Sequence, residues 1–477
     1  MKRLLLLAAI ATATGCGGGS DKKDPNCNQA DPAACADGLV CEVVQGVGTR
    51  CASPVVITGV VYDLSLGLDA GPIEGARVVP LDVNGAPVGS AATTDATGAY
   101  SVQVPAERDA NLAPVSGHVT LRADADGFAT FPSGIRSAVP VDLSAATEVT
   151  AGTTEWVVAS SLTDVGLEPT TGAGTGRIHG NAAQATAGAL VVAERADGTV
   201  RTGVADASGD YVIFNVPAGD WAVQGYTQGV NYQPAPVAGL TDLEDRLVNL
   251  VVKNRAAATV TGSIQPTGQN QPPALDTTVV LVVRATYDVE LDRGESPPGL
   301  VARLTNATGT TFHVTGVPDG EYTVLAAFGT DGYIRDVSGI GGTAPVEVRV
   351  ENGVMTSAPG AFKITGAVSF AVDGISPSTG TVGETLVTDS ATPTFDWLDY
   401  PSAVGGYDVV VFDSLGTPVW APARLAAAVT SATYAGVTLE PGRTYQVRVT
   451  AYDNAGMAVS RTEDLLGVFT YLPPAAP

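Results

Sequence analysis

Side chains suited to metal or acid–base chemistry are sparse in this sequence. Its three histidines, His118, His179 and His313, each stand alone on a segment that alternates like a strand, and no two have the spacing of metal ligands. The sequence contains no G-x-S-x-G motif, no H-E-x-x-H motif and no phosphate-binding loop. We therefore predict a non-enzymatic protein with no catalytic residue, metal site or bound cofactor. The abundant carboxylates leave open only an acid pair for glycoside cleavage.

One acidic motif recurs along the chain. DATGAYSV begins at Asp95, DASGDYVI at Asp206 and NATGTTFH at Asn306. A catalytic acid would not tolerate asparagine in the third copy, whereas a turn does. The Asx side chain accepts hydrogen bonds from the backbone two residues on, and the glycine takes the positive φ that closes a hairpin. The motif therefore predicts a turn, not an active site.

The residues after each turn predict a strand. In the second copy, alternation places Tyr211, Ile213 and Asn215 on one face and their neighbours Val212, Phe214 and Val216 on the other. A separate acidic run, Asp124-Ala125-Asp126-Gly127, suggests calcium but lacks the glutamate that a calcium loop uses as its bidentate ligand. We predict a turn before Phe128 instead.

The cysteines cluster near the N-terminus. Cys27, Cys35, Cys41 and Cys51 fall within 25 residues that have little apolar content, and no cysteine follows them. Such a segment is too polar to form a core of its own, so two disulfides are expected, with three pairings possible. Zinc is the alternative, although the tight C-x2-C pairs and a nearby histidine are missing.

The first residues, MKRLLLLAAIATATGC, read as an export leader because a basic pair precedes an apolar run too short to span a bilayer. The run Ala13-Thr14-Gly15-Cys16 resembles the bacterial lipoprotein signal, and an ordinary secretory leader with an incidental cysteine is the alternative. The resemblance implies that Cys16 is acylated and, because Gly17 follows it, that the protein is held on the outer membrane. Several acyl chains on one cysteine would anchor it firmly.

Composition limits the partners. The formal net charge is −24, so nucleic acid and anionic lipid head groups are not expected as partners. The 56 glycines and 31 prolines interrupt a chain that is 45% hydrophobic, which favours many short strands. We predict an all-β protein of tandem antiparallel β-sandwich modules, each an independent double-layered unit, after a small disulfide-stapled N-terminal segment.

Two domain families supply the details. The order ITGVV, GARV and DATGAYSV, repeated three times, resembles the carboxypeptidase regulatory-like domain, which implies a transthyretin-like or starch-binding-like sandwich with no active site. The first copy carries an insertion at 106–116. TPTFDWLDYP and LEPGRTYQVRVTAYDNAG resemble a fibronectin type III-like sandwich, with Trp397 in its core and Tyr445 bonding back to the chain.

These resemblances divide the chain. We predict a signal peptide at 1–15, the anchor, tether and Cys-rich segment at 16–53, three carboxypeptidase regulatory-like sandwiches at 54–170, 171–255 and 256–365, and the fibronectin type III-like sandwich with a Pro-rich tail at 366–477.

Two functions fit such a chain. The first is a surface lipoprotein whose modules bind an extracellular ligand, with carbohydrate as the leading candidate. Sugar binding commonly uses exposed aromatic rings, and Trp156 and Trp420 are the weak candidates for ligand contact. The alternative is a stalk or protein-interaction scaffold of the cell envelope. The expected partners are the membrane, through the lipid, and a polysaccharide or an envelope protein. A flat cluster of exposed aromatic side chains would favour sugar, and stacked modules with polar surfaces would favour the scaffold.

Overall fold

Short alternating segments that end at glycine or proline form strands throughout the chain. The computed structural model describes residues 27, 35, 38–82, 85–115, 117–132, 140–150, 155–160, 163–171, 174–267, 275–289, 291, 293–307, 310–325, 333–335, 346–357, 362–376, 386–463 and 466–474. These residues hold 37 strands, two 3-10 helices and no α-helix. None of their helices is long and apolar enough to cross a membrane. The predicted all-β class is confirmed.

The N-terminal segment is a hairpin stapled by two disulfides. Its strands β1 (Val40–Val44) and β2 (Gly48–Ala52) place Cys41 directly opposite Cys51. These two cysteines do not pair with each other: Cys27 pairs with Cys41, and Cys35 pairs with Cys51. The segment that precedes the hairpin is therefore tied to both of its strands.

Module 1 packs one sheet around β3 against a second sheet around β4. Its strands are β3 (Val55–Asp63), β4 (Arg77–Leu81), β5 (Ala92–Thr93), β6 (Ala99–Val104), β7 (His118–Asp124), β8 (Pro140–Asp142), β9 (Thr147–Glu148), β10 (Trp156–Val158) and β11 (Val165–Leu167). A 3-10 helix spans Leu143–Ala145. Strands β6, β10 and β11 pair with β3, β9 pairs with β10, and the second sheet has the order β5-β4-β7-β8.

Module 2 repeats this plan with shorter connections. Its strands are β12 (Gly176–Asn181), β13 (Ala189–Glu194), β14 (Val200–Ala205), β15 (Asp210–Val216), β16 (Gly219–Thr227), β17 (Val230–Asn231), β18 (Ala235–Leu240) and β19 (Asp245–Leu247). One sheet has the order β15-β12-β19, and the other has the order β14-β13-β16, with β17 and β18 both paired to β16.

Module 3 has the same two layers. Its strands are β20 (Ala258–Pro266), β21 (Leu275–Val283), β22 (Val301–Ala307), β23 (Thr311–Val317), β24 (Gly320–Leu325), β25 (Tyr333–Arg335), β26 (Val346–Glu351), β27 (Val354–Ser357) and β28 (Phe362–Gly366). The second 3-10 helix spans Arg284–Thr286. The sheets have the orders β23-β20-β28-β25 and β22-β21-β24-β26-β27.

Module 4 completes the chain. Its strands are β29 (Phe370–Val372), β30 (Leu386–Thr388), β31 (Thr394–Trp397), β32 (Gly406–Phe412), β33 (Pro418–Trp420), β34 (Ser431–Thr433), β35 (Thr444–Tyr452), β36 (Ala458–Arg461) and β37 (Val468–Tyr471). One sheet has the order β29-β31-β34 and the other β30-β37-β35-β32-β33, with β36 also paired to β35. Tyr445 accepts a hydrogen bond from the Glu440 amide at 2.9 Å, as predicted for the corner tyrosine.

Most strand pairs are antiparallel, and each module also contains parallel pairing. Each module adds parallel pairing beside one strand: β10 and β11 lie parallel to β3, β19 to β12, β28 to β20 and β30 to β37. In modules 1 to 3 the last strands of the module return to its opening strand from the opposite sheet. A return by way of the other layer leaves the two strands pointing the same way, which a tight hairpin cannot do.

The predicted independence of the modules is wrong for modules 2 and 3. Leu190, Val192 and Tyr226 of module 2 lie in the hydrophobic core of module 3 and not in that of their own module. The Tyr226 ring meets the Tyr322 ring edge to face, with centroids 6.1 Å apart. On the same strand, β13, the alternate residues Val191 and Ala193 face the core of module 2. Strand β13 therefore buries side chains on both of its faces. The shared strand makes one continuous apolar layer between the two modules.

Candidate functional site

Modules 1 and 2 are joined by a set of hydrogen bonds between a turn of module 1 and a β-bulge of module 2. Alternation along β15 breaks at Asn215, which has a φ of 56° and sits in a β-bulge opposite β12. The predicted common face of Tyr211, Ile213 and Asn215 is therefore wrong at its last member. A bulge turns a side chain away from its regular direction. Asn215 Nδ2 donates to the carbonyls of Ala125 and Phe128, and its Oδ1 accepts from the Gly127 amide at 2.7 Å.

A joint of the same kind lies between modules 2 and 3, but there the turn, and not the bulge, supplies the side chain that crosses the boundary. The bulge position in β23 is Gly316, with a φ of 71°. Its carbonyl accepts from the Gly229 amide at 2.7 Å, and Gln228 Nε2 donates to the Thr315 carbonyl at 3.0 Å. In the first joint the bulge supplies the reaching side chain, and in the second the turn supplies it. In both joints a turn of one module thus docks on the bulge of the next.

The turn at 124–127 forms as predicted, with the Phe128 amide on the Ala125 carbonyl and Gly127 at a φ of 77°. Its two carboxylates serve the junction: Asp126 pairs with Arg177 of module 2, and Asp124 Oδ2 lies 2.9 Å from Arg122 Nε. The acidic run is therefore engaged by arginines.

Arg122 connects three modules. It is only 2% exposed, and besides Asp124 it meets Glu295 of module 3 at 3.4 Å and donates to Thr202 of module 2. Burial alone would lower the pKa of Arg122, but the Asp124 and Glu295 carboxylates raise it, so the guanidinium remains charged. A buried charge with this many partners fixes the relative positions of the groups that surround it.

The repeated Asx turns form as predicted in the two copies whose side chains are described. Asp95 Oδ1 accepts from the Thr97 and Ala99 amides, and Asp206 Oδ1 accepts from the Ser208 amide. The Asn306 side chain lies outside the described residues. Asp206 has a second role that the sequence did not reveal, since its Oδ2 lies 3.3 Å from Arg77 Nη2 of module 1. The same nitrogen donates to the Asp210 carbonyl at 2.6 Å.

Asp319 is the polar centre of the boundary between modules 2 and 3. Its carboxylate accepts from Lys253 Nζ at 2.9 Å and from the Gly353 amide at 2.7 Å, while its own amide donates to Asn231 Oδ1. Burial would raise the pKa of Asp319, but the bonds from Gly353 and Lys253, with Arg255 nearby, together lower it. The carboxylate is therefore held in its charged form.

Module 4 folds back onto the earlier modules. Arg443 pairs with Glu168 of module 1, and Arg448 Nη2 donates to the Leu291 carbonyl of module 3 at 3.1 Å. The four modules therefore contact one another out of sequence order as well as in it. This arrangement differs from a linear stalk, in which each module meets only its neighbours.

The disulfide-stapled hairpin docks on the insertion of module 1. Glu42 and Arg108 are 1% and 0% exposed, and their Oε2 and Nε atoms are 2.6 Å apart. Glu42 also accepts from the Ala106 amide, and Arg108 donates to the Ser53 carbonyl. Burial raises the pKa of the Glu42 carboxyl, against the opposing effect of the bonds from Arg108 and Ala106. The insertion at 106–116 thus receives the N-terminal segment.

The histidines do not converge. His179 on β12 has its Nδ1 2.6 Å from Asp245 Oδ1, and His313 has its Nδ1 3.0 Å from Thr261 Oγ1. His118 lies on β7, and its side chain is outside the described residues. Within the described chain no serine, threonine or cysteine hydrogen-bonds the His179 ring, which a nucleophilic triad would require. His179 instead lines an open groove of about 330 Å³ with Asn181, Asp210 and Asn249.

The tryptophans pack inward. Trp420 lies against Phe395 and Tyr434, and Trp156 packs partly buried against the core of module 1. Trp397 is 4% exposed. Trp221 donates to the Pro217 carbonyl just as Tyr322 donates to that of Pro318, so the two occupy equivalent positions. The large hydrophobic side chains that stand exposed in the described chain are aliphatic or methionine, and no aromatic side chain is among them.

Of the predicted N-terminal sites, the structure describes the four disulfide cysteines but not the lipidation site. Sγ atoms of Cys27, Cys35 and Cys51 lie within 4.8 Å of one another because the two disulfides are adjacent, and disulfide sulfurs are not thiolate ligands for zinc. Cys16, the predicted lipidation site, lies outside the described residues, as do the leader and the tether.

Sequence reasoning missed the joints, although one signal was present. The strands that end NVP at 215–217 and GVP at 316–318 exchange asparagine for glycine at one position. These are the two residues that most readily adopt a positive φ, so the exchange marks a bulge.

No family model matches this chain, and no curated protein matches it. Among solved structures it is similar to the Bacillus anthracis TIE protein, at 10% identity and a TM-score of 0.14, over 84% of this chain and 67% of that one. It is also similar to a streptococcal ancillary pilin, at 13% identity and a TM-score of 0.15, over 65% of this chain and 99% of that one. The shaft pilin SpaA from Lactobacillus rhamnosus GG gives 13% identity and a TM-score of 0.16, over 42% and 97%. Likenesses at these TM-scores do not decide the function of this chain.

Proposed function

We propose that this protein is an exported, non-enzymatic interaction scaffold of the bacterial envelope, held on the outer membrane by lipid on Cys16. The repeated joint carries the proposal. Modules joined by a turn of one on the bulge of the next present their outer surfaces at fixed spacing. A scaffold for other envelope proteins needs that property, whereas flexibly linked modules lack it.

The exposed surface supports the scaffold over carbohydrate binding by an aromatic platform. Trp156 and Trp420 were the sequence-based candidates for stacking on sugar rings, and both pack against cores. Sugar recognition by stacking needs flat, accessible rings. The scaffold, which was the alternative on sequence alone, therefore becomes the leading candidate, and carbohydrate binding becomes the second.

Carbohydrate binding stays as the second candidate, without a stacking platform. It is supported by the open groove beside β12, where amide and carboxylate side chains such as Asn181, Asp210 and Asn249 offer hydrogen bonds suited to sugar hydroxyls. A glycan array probed with the purified chain tests this candidate.

Anchoring and exposure are tested in cells. We expect radiolabelled palmitate to be incorporated into the wild-type protein and not into Cys16→Ser, while Cys35→Ser still incorporates it. Protease added to intact cells should cleave the wild-type protein if it faces outward. Palmitate labelling that survives Cys16→Ser would refute the anchor, and a protein found only in the cytoplasm would refute the whole proposal.

A further inference from the structure

A cleft of about 470 Å³ opens where modules 1, 2 and 3 meet, with Leu415 of module 4 at its edge. Its size falls in the range of small-molecule sites. Module 1 contributes the segment 128–132, module 2 contributes β14 around Arg201, and module 3 contributes 293–295. Clefts between domains are common ligand sites, because several rigid elements converge there.

Arg201 is the unusual residue of this cleft. Its Nε donates to the Asn215 carbonyl at 3.1 Å and its Nη1 to the Val200 carbonyl at 2.9 Å, and no carboxylate of the described chain pairs with it. These bonds use two of the five guanidinium N–H groups. Burial lowers the pKa of Arg201, and no acidic neighbour offsets the effect. An arginine without a carboxylate partner stands out in a protein with 49 acidic and 25 basic residues.

Around Arg201 the lining is mixed: threonines and apolar side chains stand beside the charged side chains of Asp288, Arg293 and Glu295. Thr170 Oγ1 is buried and has no hydrogen-bond partner within the described residues. Thr130 and Thr202 also line the cleft, and Phe128 adds a partly buried ring. Glu295 on the module 3 side is engaged by Arg122. Arg201, Thr170 and Phe128 together suit a ligand with an anion, a hydroxyl and an apolar face, and ligand hydroxyls also suit the Asp288 carboxylate.

We propose that this cleft binds an oligosaccharide that contains a uronic acid, with the sugar carboxylate on the free N–H edge of Arg201. Planar guanidinium groups bind carboxylates through two parallel hydrogen bonds. The proposal deepens the second proposed function, carbohydrate binding, and rests on it. An acidic peptide shares the carboxylate but offers fewer hydroxyl groups to Thr130, Thr170 and Thr202.

Isothermal titration of the purified chain with trigalacturonate tests the proposal, with maltotriose and triglutamate as comparisons. We expect binding of trigalacturonate only, weakened at least about tenfold by Arg201→Gln and strengthened at low salt. Arg195→Gln is the matched control, because Arg195 lies in the same module but pairs with Asp197 and should leave the affinity unchanged. Thr170→Val should weaken binding by a smaller factor, and thermal melting verifies that each variant folds.

Equal affinity for maltotriose or triglutamate would overturn the proposal, as would the same affinity in the Arg201→Gln chain. No binding of trigalacturonate would also overturn it. If the glycan array finds neutral sugars bound while trigalacturonate is not, carbohydrate binding stands and the assignment of this cleft fails.

Discussion

The Gly127 amide of module 1 donates to Asn215 Oδ1 of module 2 at 2.7 Å, and this contact has a counterpart one module later, where the Gly229 amide donates to the Gly316 carbonyl at 2.7 Å. In both joints a bulge with positive φ receives the glycine turn of the preceding module. Different side chains build the two joints, so the common element is backbone geometry.

Asn215→Gly tests the first joint. Glycine keeps the positive φ but removes three hydrogen bonds to module 1, so we expect a loss of about 1–3 kcal/mol in the free energy of unfolding. Asn352→Gly is the matched control, because Asn352 has a φ of 57° and is exposed in a turn. Its substitution should change stability by less than about 0.5 kcal/mol. Equal effects of the two substitutions in urea unfolding would contradict the role given to Asn215.

Arg122→Met tests the three-module junction. The substitution leaves the Asp124 carboxylate buried without its cation, so we expect a loss of about 3–5 kcal/mol. Arg284→Met is the control, because Arg284 is 49% exposed in its pairs with Glu321 and Glu347 and should contribute less than about 1 kcal/mol. Calorimetry measures both. A melting temperature of Arg122→Met close to that of the control would count against a junction held by this residue.

Local features of the fold could be predicted from the sequence, whereas contacts between distant residues could not. The Asx turns at Asp95 and Asp206 and the corner hydroxyl of Tyr445 follow from local chemistry, and the structure contains them. The contact of Asp206 with Arg77 joins residues far apart in sequence and gave no local signal. The same holds for the apolar face of β13 that packs on module 3, since burial on both faces reads simply as a core strand.

The acid sensitivity of the boundary between modules 2 and 3 should depend on Asp319. Its pKa is lowered in the folded state, so its stabilising contribution is complete above the unfolded pKa of about 3.8 and is lost as the pH falls through the lower folded value. Asp319→Asn should therefore be less stable than wild type by about 1–3 kcal/mol at neutral pH. The difference should shrink below about pH 3.8.

Urea unfolding at several pH values measures this difference. Asp69→Asn, at an exposed position, serves as the control and should match wild type at each pH. A gap between Asp319→Asn and wild type that is constant with pH would show that the carboxylate charge is not what stabilises the boundary.

The docking of the N-terminal hairpin should depend on Glu42 and Arg108. Arg108→Met leaves a buried carboxylate without its cation, and we expect hydrogen exchange across β1 and β2 to accelerate while module 4 is unchanged. The double variant Glu42→Met/Arg108→Met should recover part of the protection, because it replaces both charges with apolar side chains. If the single variant exchanges no faster than wild type, the ion pair does not hold the hairpin.

Small-angle X-ray scattering from the purified chain tests most directly whether the four modules form one rigid body. We expect the profile of a single packed particle that agrees with this structure and changes little between about 0.05 M and about 0.5 M salt, because the turn-on-bulge joints use uncharged hydrogen bonds and the Arg122–Asp124 pair is buried, where salt screens it little. A profile typical of separate units on flexible connections, with a Kratky curve that does not return toward the baseline, would contradict the scaffold.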